Sequence, residues 1–129
     1  MSTDETKKKY PEQELTKKII GIAFQAQNEI GSGFAEKIYQ KVFEKHLKES
    51  GLKYKKECYC KLKIDEEIVG NYRLDFLIED KVVVELKTRE TVYQKDISQV
   101  LDYLKFNNLK VGLLLYFGNF KVKIKRLVL

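Results

Sequence analysis

The chain has few of the residues on which whole classes of chemistry depend. Cys58 and Cys60 are its only thiols, and His46 is its only histidine. A structural zinc site needs four ligands, mostly Cys or His. A Ser-His or Cys-His nucleophile needs a histidine placed to activate it. His46 lies in a helical stretch rich in lysine and glutamate, so both chemistries are set aside. The two cysteines sit two apart, on one face of a strand, and are expected to be buried, reduced thiols. There is one proline, Pro11, and no Gly/Ser-rich linker follows it. The longest apolar run, Val111 to Phe117, is far short of the ~18 residues that a membrane span needs. Residues 1–11 are polar and hold both charge signs, unlike a secretory signal. They are expected to form a flexible tail ahead of one domain over residues 12–129, in a reducing, cytoplasmic setting.

What the chain does have is positive charge. The 25 Lys and Arg outweigh 19 Asp and Glu, for a net charge of +6. Such a balance favours polyanionic partners, nucleic acid or an anionic membrane face. No strongly amphipathic basic helix with large apolar anchors stands out, so the membrane is set aside. At 129 residues the chain suits a single domain that folds without disulfide or metal.

Hydrophobic periodicity orders the elements. Leu15, Ile19, Ile22, Ala23, Ala26 and Ile30 recur at helical spacing, with Gly31 as the stop. Ala35, Ile38, Val42, Phe43 and Leu47 mark a second helix ending near Gly51. The period then falls to two. Cys58, Cys60, Leu62 and Ile64 alternate with polar residues and Tyr59, Asp65-Glu66 turns the chain, and Tyr72, Leu74, Phe76 and Ile78 alternate in the next strand. A tight Glu79-Asp80 turn leads into a strand over Val82 to Lys87. Ile97, Val100, Leu101 and Leu104 form a third helix. Lys110 to Phe117 reads as a strand buried on both faces. Gly118-Asn119 turns it into a last strand with Phe120, Val122 and Ile124. The order ααβββαββ predicts an α/β class, a mixed central sheet flanked by helices.

The informative residues are acids inside apolar strands. Glu85 follows three valines and precedes Leu86, and an unpaired buried carboxylate costs several kcal/mol. Asp75 lies in the strand before it. The midpoint of 75 and 85 falls on the Glu79-Asp80 turn, so a register with the two opposite each other is natural. Neighbouring positions would bring the carboxylates about 5 Å apart. Two anions that close repel, and a divalent cation would resolve this. Hard oxygen ligands select Mg²⁺ or Mn²⁺ over zinc. Lys87 beside the pair could orient a water or stabilise a developing anion. The alternative is a solvated sheet face on which Arg73 and Lys87 pair with the two acids.

Further motifs bear on that choice. Asp75 and Glu85-Leu86-Lys87 form a D…(D/E)xK string. Gly33-Phe34-Ala35-Glu36-Lys37-Ile38-Tyr39 reads GxxExxY, and Gln99-Val100-Leu101-Asp102-Tyr103 reads QxxxY. In these the sequence resembles the GxxExxY family of the PD-(D/E)XK nuclease superfamily, in its RecB and lambda-exonuclease-like branch, over roughly residues 15–125. The resemblance implies a restriction-endonuclease-like core and Mg²⁺- or Mn²⁺-dependent hydrolysis of phosphodiester bonds, with DNA as the substrate. It implies Asp75 and Glu85 as metal ligands, the Leu86 carbonyl as a third, and Glu36 joining directly or through water. Lys87 would position the attacking water. Gln99 and Tyr103, at i and i+4 on one helix face, would face the site. Leu74 stands where the superfamily's namesake proline would be.

Local readings stand beside these. Glu36 in a first helical turn gains from the helix dipole alone, and Tyr39 suits a packing role. Gly31-Ser32-Gly33 lacks the lysine of a phosphate loop. Lys121, Lys123 and Lys125 leave the last strand by one face, where they could track a nucleic-acid backbone or guard an edge strand against aggregation. Lysines 53, 55, 56, 61 and 63 read as a solvated face. No separate DNA-reading module is apparent, so target choice is expected to come from shape, a homodimer or a partner protein. A non-catalytic nucleic-acid-binding or assembly module on the same fold is the alternative to a nuclease.

Overall fold

In the structure, a computed structural model describing residues 10–118 and 121–129, the periodicities fold as expected. Helix α1 (Gln13–Ile30) buries Ile19, Ile22, Ala23 and Ala26. It stops at Gly31, whose φ of 75° suits glycine and whose N–H donates to the Gln27 carbonyl. Helix α2 (Glu36–Ser50) buries Tyr39, Phe43 and Leu47. Ile38, read as a core position, is 40% exposed, and Tyr39 takes its place. The reason is polar as well as apolar. The Tyr39 ring stacks on Phe117 at 4.6 Å, and its hydroxyl donates to the Gly31 carbonyl at 2.6 Å, so a buried phenol is fully satisfied.

Strands β1 (Tyr54–Ile64), β2 (Glu67–Ile78) and β3 (Val82–Lys87) form an antiparallel meander. Both connecting turns, Asp65-Glu66 and Glu79-Asp80, place both central residues at positive φ, the geometry whose twist suits tight hairpins. Helix α3 (Gln94–Phe106) then crosses to β4 (Val111–Phe117), which lies parallel to β3, and β5 (Val122–Val128) returns antiparallel to β4. The five strands lie in the order β1-β2-β3-β4-β5. Strand β4 is buried along its whole length. The close seat of α3 on it depends on Gly112, where an added Cβ would stand 2.5 Å from Val100 Cγ1.

Helices α1 and α2 cover one face of the sheet, over Phe76, Ile78, Val84, Leu86, Leu113 and Leu115. Helix α3 covers the other, over Leu74, Val83, Leu114 and Tyr116. Three details depart from expectation. Leu74 and Phe76 are two apart yet pack on opposite faces, so the side chains of β2 change face at Asp75. Opposite that point Glu57 has a φ of 54°, while pairing holds on either side, Lys56 with Phe76 and Cys58 with Leu74. Cys58 and Cys60 are free but only half-buried. Pro11, placed in the tail by sequence, is held, because Arg126 donates to its carbonyl at 2.6 Å and to Thr16 Oγ1. The expected tail over residues 1–9 and the Asn119 and Phe120 positions lie outside the described residues. Among the described residues no helix is long and apolar enough to cross a membrane.

Candidate functional site

The site forms where β2 and β3 stop pairing through their backbones. Their ladder runs from Ile78–Val82 to Phe76–Val84, centred on the turn as the sequence arithmetic requires. One step further, Asp75 turns its side chain into the sheet. Its Oδ2 accepts the Leu86 N–H at 2.8 Å, and its Oδ1 accepts Gln40 Nε2 from α2 at 3.0 Å. Arg73 stands 4.0 Å from Oδ1. Asp75 thus closes the end of the ladder while remaining 3% exposed.

Glu85 is its buried neighbour on β3, 7% exposed. Burial pushes the Glu85 carboxyl up to about 9, with the Asp75 charge, a hydrogen bond shared with Asp75 and the more distant Glu36 adding to the rise and Lys87 opposing it. Burial beside a second acid therefore favours the protonated form of Glu85. Glu36, the first residue of α2 and half-buried, is also raised, first by burial and then by Asp75, against the pull of Lys87, Arg73 and Arg89. The Asp75 charge thus makes both Glu36 and Glu85 harder to ionise. Among the described residues no three His, Cys, Asp or Glu side chains form a ready ligand cage. The donor chemistry nevertheless fits a hard divalent cation, with oxygen ligands only and a buried like-charge pair that a cation would relieve.

Two open clefts lie nearby, one of them lined by Asp75. One, of about 410 Å³, is lined by Glu36, Lys87, Arg89, Tyr93, Lys95 and Gln99. The other, of about 110 Å³, exposes the Asp75 side to Lys37, Lys41, Lys56 and Arg73. The structure therefore brings Glu36, Lys87 and Gln99 to one cleft and Asp75 to the next. It brings neither Tyr103 nor the buried Glu85 and Leu86 into the lining of either. Tyr103 is buried against Leu74 and Leu104, and burial, with Cys58 and Cys60 beside it, pushes its phenol up to about 12. Gln99 is exposed near the start of α3 while Tyr103, one turn on, faces the sheet.

The lysines of β5 are placed by register. Lys123 lies in one row with Tyr116 and Lys87, and Lys125 in one row with Leu114 and Glu85. Lys123 and Lys125 are exposed on the edge strand β5, whereas Lys121, also exposed, sits in a bend just before that strand, and Lys123 Nζ donates to the Glu90 carbonyl at 3.2 Å.

A second buried acid escaped the sequence reading. Asp96, 2% exposed, accepts the Arg89 guanidinium, the Tyr116 hydroxyl at 3.1 Å and the Tyr93 N–H at 3.3 Å. Burial pushes its carboxyl up, but Arg89, the Tyr93 N–H and Tyr116 outweigh burial and hold it below the usual range. The Arg89 guanidinium lies 4.3 Å from the Tyr93 ring centre and 5.7 Å from that of Tyr116. Two signals were available: a phenol, Tyr116, inside an apolar run, which needs a partner when buried, and an acid at the third position of a helix, which caps it.

Comparison with known proteins agrees with this geometry. A sequence profile of the PD-(D/E)XK nuclease superfamily matches residues 13–127. The crystal structure of SSO0001 is similar in fold, with a TM-score of 0.56 at 19% identity over 72% of this chain. The match covers 50% of that chain, so this chain spans about half its length, and at such identity the likeness concerns the fold alone. Among proteins of curated function nothing matches. The mixed five-stranded sheet with helices on both faces is the restriction-endonuclease-like core, and the chain belongs to the PD-(D/E)XK nuclease superfamily.

Proposed function

We propose that the protein is a Mg²⁺- or Mn²⁺-dependent nuclease that hydrolyses phosphodiester bonds of DNA, within the GxxExxY family of the RecB and lambda-exonuclease-like branch. The observation that carries this reading is the buried Asp75–Glu85 pair, with Lys87, two residues beyond Glu85, lining a cleft together with Glu36, Arg89 and Lys95. Asp75, Glu85, the Leu86 carbonyl and Glu36 would hold the ion. When bound, it lowers the pKa of a water and neutralises phosphate charge. The chain's own residues do the rest. Gln40 and the Leu86 N–H fix the Asp75 carboxylate. Lys87 holds the phosphate and orients the water, and Gln99 binds a phosphate oxygen across the cleft. Lys121, Lys123 and Lys125 attract the nucleic-acid backbone. Target choice is left to a second copy of the chain or a partner protein.

Purified protein is expected to cleave DNA with Mg²⁺ or Mn²⁺. Lys87→Ala and Glu85→Ala are each expected to reduce the rate by about a hundredfold or more, with circular dichroism unchanged. Undiminished cleavage by both variants would sink the mechanism. A second reading, nucleic-acid binding without turnover, is favoured by one observation: among the described residues no three acids form a ready cage. Salt-sensitive binding with no cleavage in any divalent metal would select it.

A further inference from the structure

The geometry points to an unpaired, single-stranded stretch of nucleic acid as the ligand of the groove beside Lys87, its bases stacked on Tyr93 and Phe34; only the ligand's chemical class is taken from the nuclease reading. The cleft of about 410 Å³ continues into a neighbour of about 300 Å³, the two sharing Thr88 and Arg89 in their walls. An exposed aromatic lines each part. Tyr93 is 46% exposed in the first and Phe34 is 47% exposed in the second.

Both rings are backed by fixed partners. Phe34 meets the buried Tyr39 edge-on at 6.3 Å, and Tyr39 is itself stacked on Phe117. Tyr93 rests against the Arg89 guanidinium, which Asp96 pins in place. Arg89 is thus already neutralised, and its part is to hold the Tyr93 ring rather than to bind phosphate. The phosphate charge falls to Lys87 and Lys95 in the same wall. Exposed ring faces in both parts of the groove, with two lysines beside the first, suit a strand whose bases are free to stack. A duplex keeps its base faces against each other, so exposed rings gain nothing from it.

The test measures binding in EDTA, by fluorescence anisotropy, of a single-stranded oligonucleotide of roughly 12 nucleotides and of a blunt duplex of the same sequence. Wild type is expected to favour the single strand by about tenfold. Tyr93→Ala and Phe34→Ala should each remove most of that preference, and Tyr93→Phe should retain it. Because Tyr93 also starts α3, Phe34→Ala, in the loop before α2, gives a second reading independent of that helix. A 2-aminopurine base in the single strand should be quenched on binding to wild type and less so on Tyr93→Ala. Equal affinity for strand and duplex in wild type, or a preference unchanged in both alanine variants, would overturn the inference. Equal affinity together with Lys87-dependent cleavage would remove this inference and leave the nuclease reading standing. Single-strand preference with no cleavage in any metal would do the reverse.

Discussion

Glu85 on β3 and Asp96 in the first turn of α3 are both buried carboxylates, and they are treated in opposite ways. Asp96 meets a guanidinium, a phenol and a backbone N–H, and its proton is held off. Glu85 meets another acid, and its proton is held on. A buried acid whose neighbours complete it stabilises the fold. One whose neighbours repel it costs stability, and such groups gather at sites that bind or react. The Asp96 cluster fixes the wall of the cleft, and the Asp75–Glu85 pair is the unbalanced part that the proposed cation would relieve.

The largest expected effect breaks the balanced side. Asp96→Ala would leave Tyr116 and the Tyr93 N–H unpartnered and release Arg89. Breaking a buried ion pair from one side costs about 3–5 kcal/mol. The Arg89 side chain keeps 27% exposure and so regains some water, which places the loss at about 3 kcal/mol, measurable by urea unfolding. Asp96→Asn, which keeps an acceptor, should cost less.

A pH-dependent effect of opposite sign tests the unbalanced side. The Glu85 carboxyl is raised from an ordinary 4.5 to about 9. A raised group stabilises the fold while it stays protonated. That contribution is complete below the unfolded value of 4.5 and is lost as the pH rises through the window toward 9. Wild-type Tm should therefore fall across this window more than that of Glu85→Gln, whose amide cannot ionise. The gap between the two should widen with pH. Parallel curves would mean that Glu85 is ionised in the fold.

The smallest effect lies at the edge. Lys123→Ala and Lys125→Ala should each lower the slope of log affinity for DNA against log salt by about one, with little change in stability. Unchanged slopes would leave these lysines the protective role of an edge strand.

The unbalanced side was the legible one. A charge inside Val82-Val83-Val84-Glu85-Leu86 breaks a pattern, and a two-residue turn at Glu79-Asp80 sets the register that brings Asp75 to it. Both signals are local. Element order was legible for the same reason, since the period changes from 3.6 to 2 within a few residues. What stayed hidden depends on partners far along the chain. Asp96 looks like an ordinary helix acid until Tyr116, 20 residues on, reaches it. Tyr39 wins the core over Ile38 because Phe117 and the Gly31 carbonyl receive it. The change of face at Asp75 accompanies a left-handed Glu57, a residue type that gives no warning of such a conformation. Tyr103 shares a helix face with Gln99 on paper. In the fold Tyr103 instead joins the core with Leu74 and Leu104, while Gln99 stays exposed.

The central claim is that the Asp75–Glu85 pair awaits a divalent cation. Calorimetric titration of Mn²⁺ at neutral pH, into wild type, Asp75→Asn and Glu85→Gln, tests it most directly. The account predicts one site in wild type, proton release on binding because Glu85 must give up its proton, and loss of binding in both variants. Mn²⁺ binding of equal strength in all three proteins, or none in wild type, would contradict it.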